Sequence, residues 1–283
     1  MNLEKIIHKD GPSIEEVEKY VKKYSNELIV IKCGGSVLLD ENLFNQFIEN
    51  IVVINKLGLS AIVVHGGGKN IKKKLDQNNI ESKFIDGLRV TDGKTIKIVE
   101  EALLELNTEI LNKINDKEAN AQSVTPKDGN IIKIIPEKKE LGFVGTPKEV
   151  NKEVLLRIVK EKRVPIIVPL GIGDDGKIYN INADVAAAAI AKEINARRLL
   201  LMTDVEGVLN KDKKLISEIN SETANSMIND QSISGGMIIK IKTAIEAVNN
   251  GVTGAVIVDG RRQNSLLFEI FSDEGAGTLF RRK

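Results

Sequence analysis

The residues best suited to chemistry stand where an apolar run ends, because residues 29–31 are followed by Lys32-Cys33-Gly34-Gly35-Ser36. A buried strand that delivers a lysine at its C-terminal tip, beside backbone N–H groups without side-chain cover, creates an anion site. Phosphate is the anion that most needs both a fixed lysine and free amides. An ordinary strand-to-helix turn uses the same residue types, so this motif alone leaves both interpretations open.

A second glycine-rich segment, His65-Gly66-Gly67-Gly68, follows the short apolar run 61–64. Three consecutive glycines cost conformational entropy on folding, so we expect them where backbone amides must be exposed to a ligand. The helix expected next adds the positive field of its N-terminus. A flexible loop is the alternative. We expect His65 to be structural, as histidines at strand ends usually are.

Two further segments carry polar groups in unusual surroundings. Asn180 and Asn182 share one face of an extended segment, and Asp184 stands at the start of an alanine-rich helix. A simple N-cap cluster is the alternative, although two amides and a carboxylate exceed what a cap needs. Lys240 lies one to two turns into a helix that Ser234 could cap. Its flanks are apolar, which favours a lysine directed into a site over a solvated surface charge.

One glycine motif is misleading. Residues 171–176 match G-x-G-x-x-G after a strand, but a dinucleotide-binding fold needs a helix to begin at that loop. Here Asp174 and Asp175 indicate a turn, the chain continues extended, and two acidic residues would repel a pyrophosphate. We therefore exclude a Rossmann site. Zinc-ligand spacings are also missing from the sequence, and Cys33 is expected in the core.

The elements that position these motifs alternate between strand and helix, which predicts a largely parallel sheet covered on both faces. A capping box at Ser13–Glu16 predicts a short amphipathic helix over 13–24, before the first strand. Residues 121–147 contain short apolar segments broken by Gly and Pro, and they predict an edge hairpin structure.

Composition limits the classes of function. The 283 residues carry a formal net charge of +1 with 4% aromatics and no Trp, so nucleic-acid binding is not expected. One cysteine suits a reducing cytoplasm. We find no signal peptide and no apolar run of 18 residues, so no membrane association is expected.

Six motifs in this order make the chain resemble the acetylglutamate kinases of the amino acid kinase superfamily, from about residue 28 to the C-terminus. Each motif is weak alone, but their order is highly specific. They are Lys32-Cys33-Gly34-Gly35-Ser36, His65-Gly66-Gly67-Gly68, Gly87-Leu88-Arg89-Val90-Thr91-Asp92, Tyr179-Asn180-Ile181-Asn182-Ala183-Asp184, Thr203-Asp204-Val205-Glu206-Gly207-Val208-Leu209 and Gly235-Gly236-Met237-Ile238-Ile239-Lys240.

The resemblance implies a three-layer αβα sandwich with a largely parallel central sheet, the amino acid kinase fold, preceded by an N-terminal helix. It implies an N-terminal extension (1–27), an amino-acid-binding and dimerisation lobe (28–174) and an ATP-binding lobe (175–283), which share one continuous sheet. The implied activity is ATP-dependent phosphorylation of the side-chain carboxylate of N-acetyl-L-glutamate to N-acetyl-L-glutamyl 5-phosphate, the second step of arginine biosynthesis.

The resemblance also implies a role for each site residue. Lys32 and Lys240 would flank the phosphoryl group during transfer, and Asp184 would hold both lysines. A carboxylate is already a nucleophile, so catalysis would come from positioning and charge cancellation. The remaining implied contacts are phosphate binding by Gly34 and Gly35, substrate binding by Gly67, Gly68, Arg89 and Asn180, and ATP binding by Asp204, Val205, Gly207, Leu209, Ser232 and Ser234. Mg²⁺ would bridge the ATP phosphates, held mostly by phosphates and water.

The chain also resembles the arginine-regulated members of this family. Arginine-inhibited relatives carry an N-terminal helix that interlaces dimers into a hexamer, a trimer of dimers, and the helix over 13–24 is the right kind of element. The C-terminal segment 269–278 matches their signature. We therefore expect feedback inhibition by arginine near Tyr24, Glu274 and Gly277. A P-II-type regulatory partner cannot be inferred from the sequence.

The chain departs from the family pattern at three places. Lys69 stands where a proline usually follows the triple glycine, and residues 123–126 replace a Ser-Gly. Gln263-Asn264 replace a proline-histidine pair whose histidine helps to bind arginine in sensitive enzymes, which weakens the expectation of arginine control. Two alternatives stay open, a same-fold kinase for carrier-linked α-aminoadipate and a non-catalytic arginine sensor. A nucleotide-binding regulator of nucleic acid would need a basic stripe that the sequence lacks.

Overall fold

The computed structural model describes residues 3–7, 9–233 and 235–282, and these form an α/β sandwich. The helices alternate with the strands over most of the chain. The α-helices are α1 (Ile14–Lys23), α2 (Glu41–Lys56), α3 (Gly68–Gln77), α4 (Thr95–Asn115), α5 (Lys152–Lys160), α6 (Ala183–Glu193), α7 (Ser221–Asn229), α8 (Gly236–Asn249) and α9 (Ser265–Phe271). Short 3₁₀ helices cover Leu3–Lys5, Gly35–Leu38 and Lys139–Leu141.

The strands form one large sheet, a smaller sheet and a separate hairpin. In chain order they are β1 (Leu28–Cys33), β2 (Ser60–His65), β3 (Phe84–Ile85), β4 (Leu88–Arg89), β5 (Ala121–Val124), β6 (Ile132–Pro136), β7 (Gly145–Val150), β8 (Val164–Ile167), β9 (Leu170–Ile172), β10 (Ile178–Asn180), β11 (Arg198–Thr203), β12 (Glu218–Ile219), β13 (Ala255–Asp259) and β14 (Gly277–Phe280). The large sheet has the order β12-β14-β13-β11-β1-β2-β8-β5.

Strand β1 lies near the middle of the large sheet and pairs in parallel with both β2 and β11. Lys32 stands opposite Val64 on one side and Leu201 on the other, so it is carried by a doubly paired strand. Of the seven pairings in this sheet, only β13 with β14 is antiparallel. Parallel strands end at one edge, so the segments after β1, β2 and β11 meet there.

The core lies on both faces of the large sheet, because side chains of a strand alternate between faces. Ile29 and Ile31 pack into a cluster that includes α1, α2 and α9. Val30 packs into the opposite cluster, with α5, α6 and α8. These two helical layers with the sheet between them confirm the predicted αβα sandwich. The division of the chain at residue 174 stays a prediction.

Residues 121–147 divide between the two sheets. Strand β5 pairs in parallel with β8 and forms an edge of the large sheet. Strands β6 and β7 form an antiparallel hairpin in the smaller sheet, which has the order β10-β9-β6-β7. The predicted hairpin is present, but the first apolar segment belongs to the main sheet. The rejected G-x-G-x-x-G segment is the turn of the antiparallel β9–β10 hairpin, which agrees with the exclusion of a Rossmann site.

The predicted N-terminal helix is α1, and its capping box is complete. Ser13 Oγ accepts a hydrogen bond from Glu16 N, and Glu16 Oε2 accepts one from Ser13 N. Tyr20 is buried and donates to Asp273 Oδ1 at 2.6 Å, which fixes the helix to the segment after α9. In the part of the chain that the structure describes, no helix has the length and apolar character to cross a membrane.

Candidate active site

A cavity of about 200 Å³ opens at the carboxyl edge of the large sheet, where β1, β2 and the start of α6 meet. Its wall contains backbone amides of two glycine loops and only a few charged side chains. Eight residues predicted for catalysis or for phosphate and substrate binding line it: Lys32, Gly34, Gly35, Gly67, Gly68, Arg89, Asn180 and Asp184. Motifs spaced over about 150 residues are therefore brought together.

Asp184 stands between the two predicted lysines. Lys240 Nζ donates a hydrogen bond to Asp184 Oδ2 at 2.8 Å. Lys32 Nζ lies 3.0 Å from Oδ1 as an ion pair without hydrogen-bond geometry, so Oδ1 is buried with no donor among the described residues. The side chains of Lys32 and Asp184 are each about 9% exposed. Two cations thus share one carboxylate of the cavity wall, and Lys240 itself is not among the residues that line the cavity.

Burial and mutual charge set the protonation states of this group. Burial alone would raise the pKa of Asp184, but the adjacent ammonium groups of Lys32 and Lys240 outweigh it and lower that pKa. Burial opposes the charge of Lys32, yet Asp184 outweighs it and raises the pKa of Lys32. Burial and the charge of Lys32 together lower the pKa of Lys240, which makes Lys240 the more easily deprotonated lysine. The group carries a net charge of +1 when all three are ionised.

The local sequence explains the position of Asp184. Asn182 caps α6 by accepting hydrogen bonds from the backbone N–H groups of Asp184 and Val185. Asp184 then falls in the first turn, where the helix dipole favours a negative charge. The simple N-cap interpretation is therefore right for Asn182, while Asp184 is free to contact the two lysines.

The two glycine loops touch each other. Gly66 N donates to the carbonyl of Cys33 at 2.6 Å, and a Cβ on Gly34 would lie 3.9 Å from the Gly66 Cα. At Gly67, a Cβ would lie 2.5 Å from a methyl group of Leu103, so any larger residue would have to displace that side chain of α4. The first turn of α3 begins at Gly68 and directs its N–H groups toward the same space.

Arg89 is a buried cation at the far wall of the cavity. Its guanidinium donates to the Gly68 carbonyl at 2.9 Å and to Ser82 Oγ, and it lies 4.7 Å from the ring centre of Phe84. Among the described residues it has no carboxylate within ion-pair distance. Burial lowers the pKa of Arg89, which measures the cost of holding this charge without a counterion. An anionic ligand in the cavity would supply one.

The residues predicted for the nucleotide follow β11. Asp204 is half-buried and accepts hydrogen bonds from Ser36. Val205 and Leu209 expose 40% and 36% of their surface, and Leu209 pairs with Leu215 in an isolated bridge. Gly207 adopts φ +146°, with Thr278 Oγ1 filling the space where a Cβ would stand. Ser232 is exposed, whereas Ser234 lies outside the described residues.

The three residues predicted for arginine line a separate cavity of about 250 Å³ between α1, α9 and β14. Tyr24, Glu274 and Gly277 contribute to its wall, together with Arg198 and Glu269, which the sequence reasoning missed. Glu269 accepts a hydrogen bond from Ala276 N at 2.7 Å, and burial raises its pKa. A lone acidic residue in the otherwise apolar α9 was the available signal.

Asn264, at the position of the missing family histidine, does not line this cavity wall. It is buried with φ +53°, accepts a hydrogen bond from Asn50 Nδ2 and donates one to the Asp10 carbonyl. It therefore links the N-terminal segment to α2. Two further residues, His65 and Cys33, were expected to be structural and not catalytic, and both lie in the core. His65 Nε2 is 3.2 Å from Asn107 Nδ2 in the core, and Cys33 is fully buried.

Comparison with known proteins shows which protein family this chain resembles. The model of the amino acid kinase family matches residues 27–259. The chain is 55% identical over 276 residues to an acetylglutamate kinase of Pelagibacter ubique, covering 98% of this chain and 96% of that protein. It is 43% identical over 285 residues to an acetylglutamate kinase of Rhodospirillum centenum, covering 96% and 93%.

Among solved structures, the fold resembles the N-acetylglutamate synthase of Neisseria gonorrhoeae, solved with coenzyme A and N-acetyl-glutamate. The TM-score is 0.86 at 20% identity, and the match covers 95% of this chain. The chain spans 62% of the length of that synthase. At this identity the likeness concerns the fold alone.

Proposed function

The chain belongs to the amino acid kinase family, and from this premise we propose that it is an acetylglutamate kinase, which transfers the γ-phosphoryl group of ATP to the side-chain carboxylate of N-acetyl-L-glutamate. This is the second step of arginine biosynthesis. The observation that carries the proposal is the pairing of the buried Asp184 with both Lys32 and Lys240, beside the two glycine loops that line the cavity.

The proposed mechanism relies on positioning and charge. The acceptor carboxylate is a nucleophile at neutral pH, so a general base is unnecessary. Lys32 and Lys240 flank the phosphoryl group and balance the charge that spreads over its oxygens. Asp184 keeps the two ammonium groups at a fixed separation that water could not maintain. Its charge leaves the group at net +1, which attracts an anion without holding the product irreversibly.

The substrate lies along the cavity wall away from Lys240. Arg89 receives the α-carboxylate of N-acetylglutamate, which provides the counterion that this buried guanidinium lacks. Asn180 hydrogen-bonds the backbone end of the substrate, and the amides of Gly67 and Gly68 donate to its oxygens. Gly34 and Gly35 donate to the phosphoryl oxygens. A cavity of about 200 Å³ suits an acid of this size.

ATP binds near the end of β11, where the resemblance implies contacts from Val205, Gly207, Leu209 and Ser232. Asp204 and Ser234, which the resemblance also implies, stay predictions of the sequence. The described residues contain no group of three or more His, Cys, Asp or Glu side chains arranged to hold a metal. Mg²⁺ would be held mainly by phosphate oxygens and water. Such an ion supplies charge neutralisation along the triphosphate, and the lysines act on the group in transfer.

Regulation by arginine is part of the proposal. The guanidinium of arginine would meet Glu274 and the backbone at Gly277, with Tyr24, the residue after α1, closing the cavity. The carboxylate of Glu269 and the guanidinium of Arg198 add one charge of each sign to this cavity. We keep the hexamer, the cytoplasmic location and the lobe division at residue 174 as predictions of the sequence.

The test is a hydroxamate assay, which detects the acyl phosphate. The purified chain should form it from N-acetylglutamate and MgATP, and much more slowly from carrier-linked α-aminoadipate at equal concentration. The reverse preference would select the carrier-linked acid, and activity on neither would reject the kinase. Lys240→Met should abolish turnover, whereas Lys242→Met on the same helix should retain it. Saturating arginine should inhibit, and an unchanged rate would reject the regulatory part only.

A further inference from the structure

We propose that Asp204 is a positioning residue that acts through Ser36: its carboxylate holds the amides of Gly34 and Gly35 in the conformation that receives the phosphoryl group. This role rests on the proposed function and differs from the direct ATP contact predicted for Asp204 from the sequence. It would be a structural link between the end of β11 and the loop after β1.

The first observation is a set of short contacts. Asp204 Oδ1 accepts a hydrogen bond from Ser36 N at 2.9 Å and another from Ser36 Oγ at 2.7 Å, while Oδ2 is 3.2 Å from the same nitrogen. One carboxylate thus satisfies both donors of Ser36, although the two residues are 168 positions apart. Strands β1 and β11 pair in parallel, so their ends bring the two residues together.

The second observation is the shape of the loop beside these contacts. Gly35 adopts φ +70°, a left-handed conformation that favours glycine. A Cβ at this position would stand 2.5 Å from Asp204 Oδ1, so the carboxylate packs directly over Gly35. The hydrogen bonds hold the residue after the glycine, and the packing restricts the glycine itself. The orientation of the loop amides therefore depends on Asp204.

The third observation concerns charge. The hydrogen bonds from Ser36 and the nearby cations Lys69 and Arg261 outweigh burial and lower the pKa of Asp204, so it is ionised at neutral pH. An ionised carboxylate turned toward a triphosphate would repel it. Directed at Ser36, the same charge strengthens two hydrogen bonds. Lys69 lies in the first turn of α3, where a cation opposes the helix dipole, and Asp204 offsets this cost.

Two substitutions of Asp204 separate positioning from direct action. Asp204→Asn keeps an Oδ1 acceptor for both Ser36 donors and removes the charge, whereas Asp204→Ala removes the contact. We expect kcat to fall about 10- to 100-fold in D204A, because catalysis is sensitive to misplaced amide donors, and to stay within about threefold in D204N. Hydrogen exchange of the peptide 33–38 should accelerate in D204A and not in D204N. Equal losses in both variants would overturn the proposal.

Ser36→Ala provides the complementary test without opening a space beside Gly35. It removes the Oγ donor and keeps the backbone N–H donor, so it should lower kcat less than D204A does. The double variant S36A/D204A should be no slower than D204A alone, since D204A already removes both contacts. Additive losses, or an unchanged kcat in S36A, would overturn the proposal even if D204A does not fold. Asp128→Ala is the matched control: Asp128 accepts hydrogen bonds from both donors of Thr125, in a loop outside the cavity wall.

These outcomes are distinct from those that test the proposed function. Failure of the wild-type chain to phosphorylate N-acetylglutamate rejects that substrate. The ratio of rates among the four variants can be measured on whichever acid the chain phosphorylates, so it reports on the contact between Asp204 and Ser36 alone.

Discussion

Replacing Asp184 by asparagine tests the central electrostatic argument, because it removes one charge and keeps the shape of the side chain. At an effective dielectric constant of about 20, unit charges at the two observed separations of 3.0 and 2.8 Å attract by about 5 to 6 kcal/mol each. Desolvation offsets part of this, and breaking a buried ion pair costs about 3 to 5 kcal/mol. If most of that cost reaches the transition state, kcat falls about 10²- to 10³-fold.

The pH profile provides a signature that a folding defect would not produce. Burial and Lys32 already lower the pKa of Lys240, and Asp184 is the group that opposes them. Without the carboxylate, Lys240 loses its proton at lower pH, and the alkaline limit of activity moves toward neutrality. The hydroxamate assay between pH 6 and 10 measures both effects.

A matched control separates this effect from lost stability. Asp40 caps α2 through two backbone N–H groups, far from the cavity, so Asp40→Ala should cost about 1 kcal/mol of stability and leave kcat unchanged. If D184N keeps more than a third of the wild-type kcat with the same alkaline limit, the two lysines do not depend on Asp184 and our account of the site is wrong.

Three further predictions concern single side chains. Arg89→Gln should raise the KM for N-acetylglutamate about 10- to 100-fold with a smaller effect on the KM for ATP, as measured by steady-state kinetics, because a charged hydrogen bond to the substrate is lost. Burial lowers the pKa of His65 from 6.5 to about 4, so the native state holds this imidazole neutral. Its contribution to the free energy of unfolding is complete above pH 6.5, and about 3 kcal/mol is lost as the pH falls from 6.5 through 4. Urea unfolding at pH 7 and 4 should therefore show a smaller loss of unfolding free energy in His65→Gln than in the wild type. An equal loss in the two proteins would contradict this. Burial raises the pKa of the Cys33 thiol, so iodoacetamide at pH 8 should label the unfolded chain and not the native one, as read by mass spectrometry.

The fold could be predicted largely from the sequence because its elements follow simple periodicities. Strand β1 and helix α6 carry continuous apolar or alanine-rich segments, and the capping box at Ser13 specifies where α1 begins. The position of β5 was harder to predict, because a short segment without a following helix does not show which sheet it joins. Only the pairing with β8 decides this.

The site was predicted as a set of motifs, and the resemblance implied the contacts of Asp184 with Lys32 and Lys240 but not the other contacts. Glycines and lysines at strand ends indicate a phosphate site, but nothing local shows that Asp204 faces Ser36 or that Glu269 lines a cavity with Tyr24. Such contacts depend on the order of strands in the sheet. For Asn182 the local pattern was enough, since the N-cap interpretation of its segment is what the structure shows.

The strand order has a consequence for the synthesis of the chain. Strands β1, β2, β8 and β5 can pair once the first 167 residues have emerged, but β11, β13 and β14 complete the sheet from the C-terminal part. Lys240 is translated 208 residues after Lys32 (240 − 32), an interval of about 10 to 40 s at ordinary elongation rates. A nascent or truncated chain therefore holds one lysine without its carboxylate and partner. The group of Lys32, Asp184 and Lys240 therefore forms only after Lys240 has left the ribosome, so the site assembles late in synthesis.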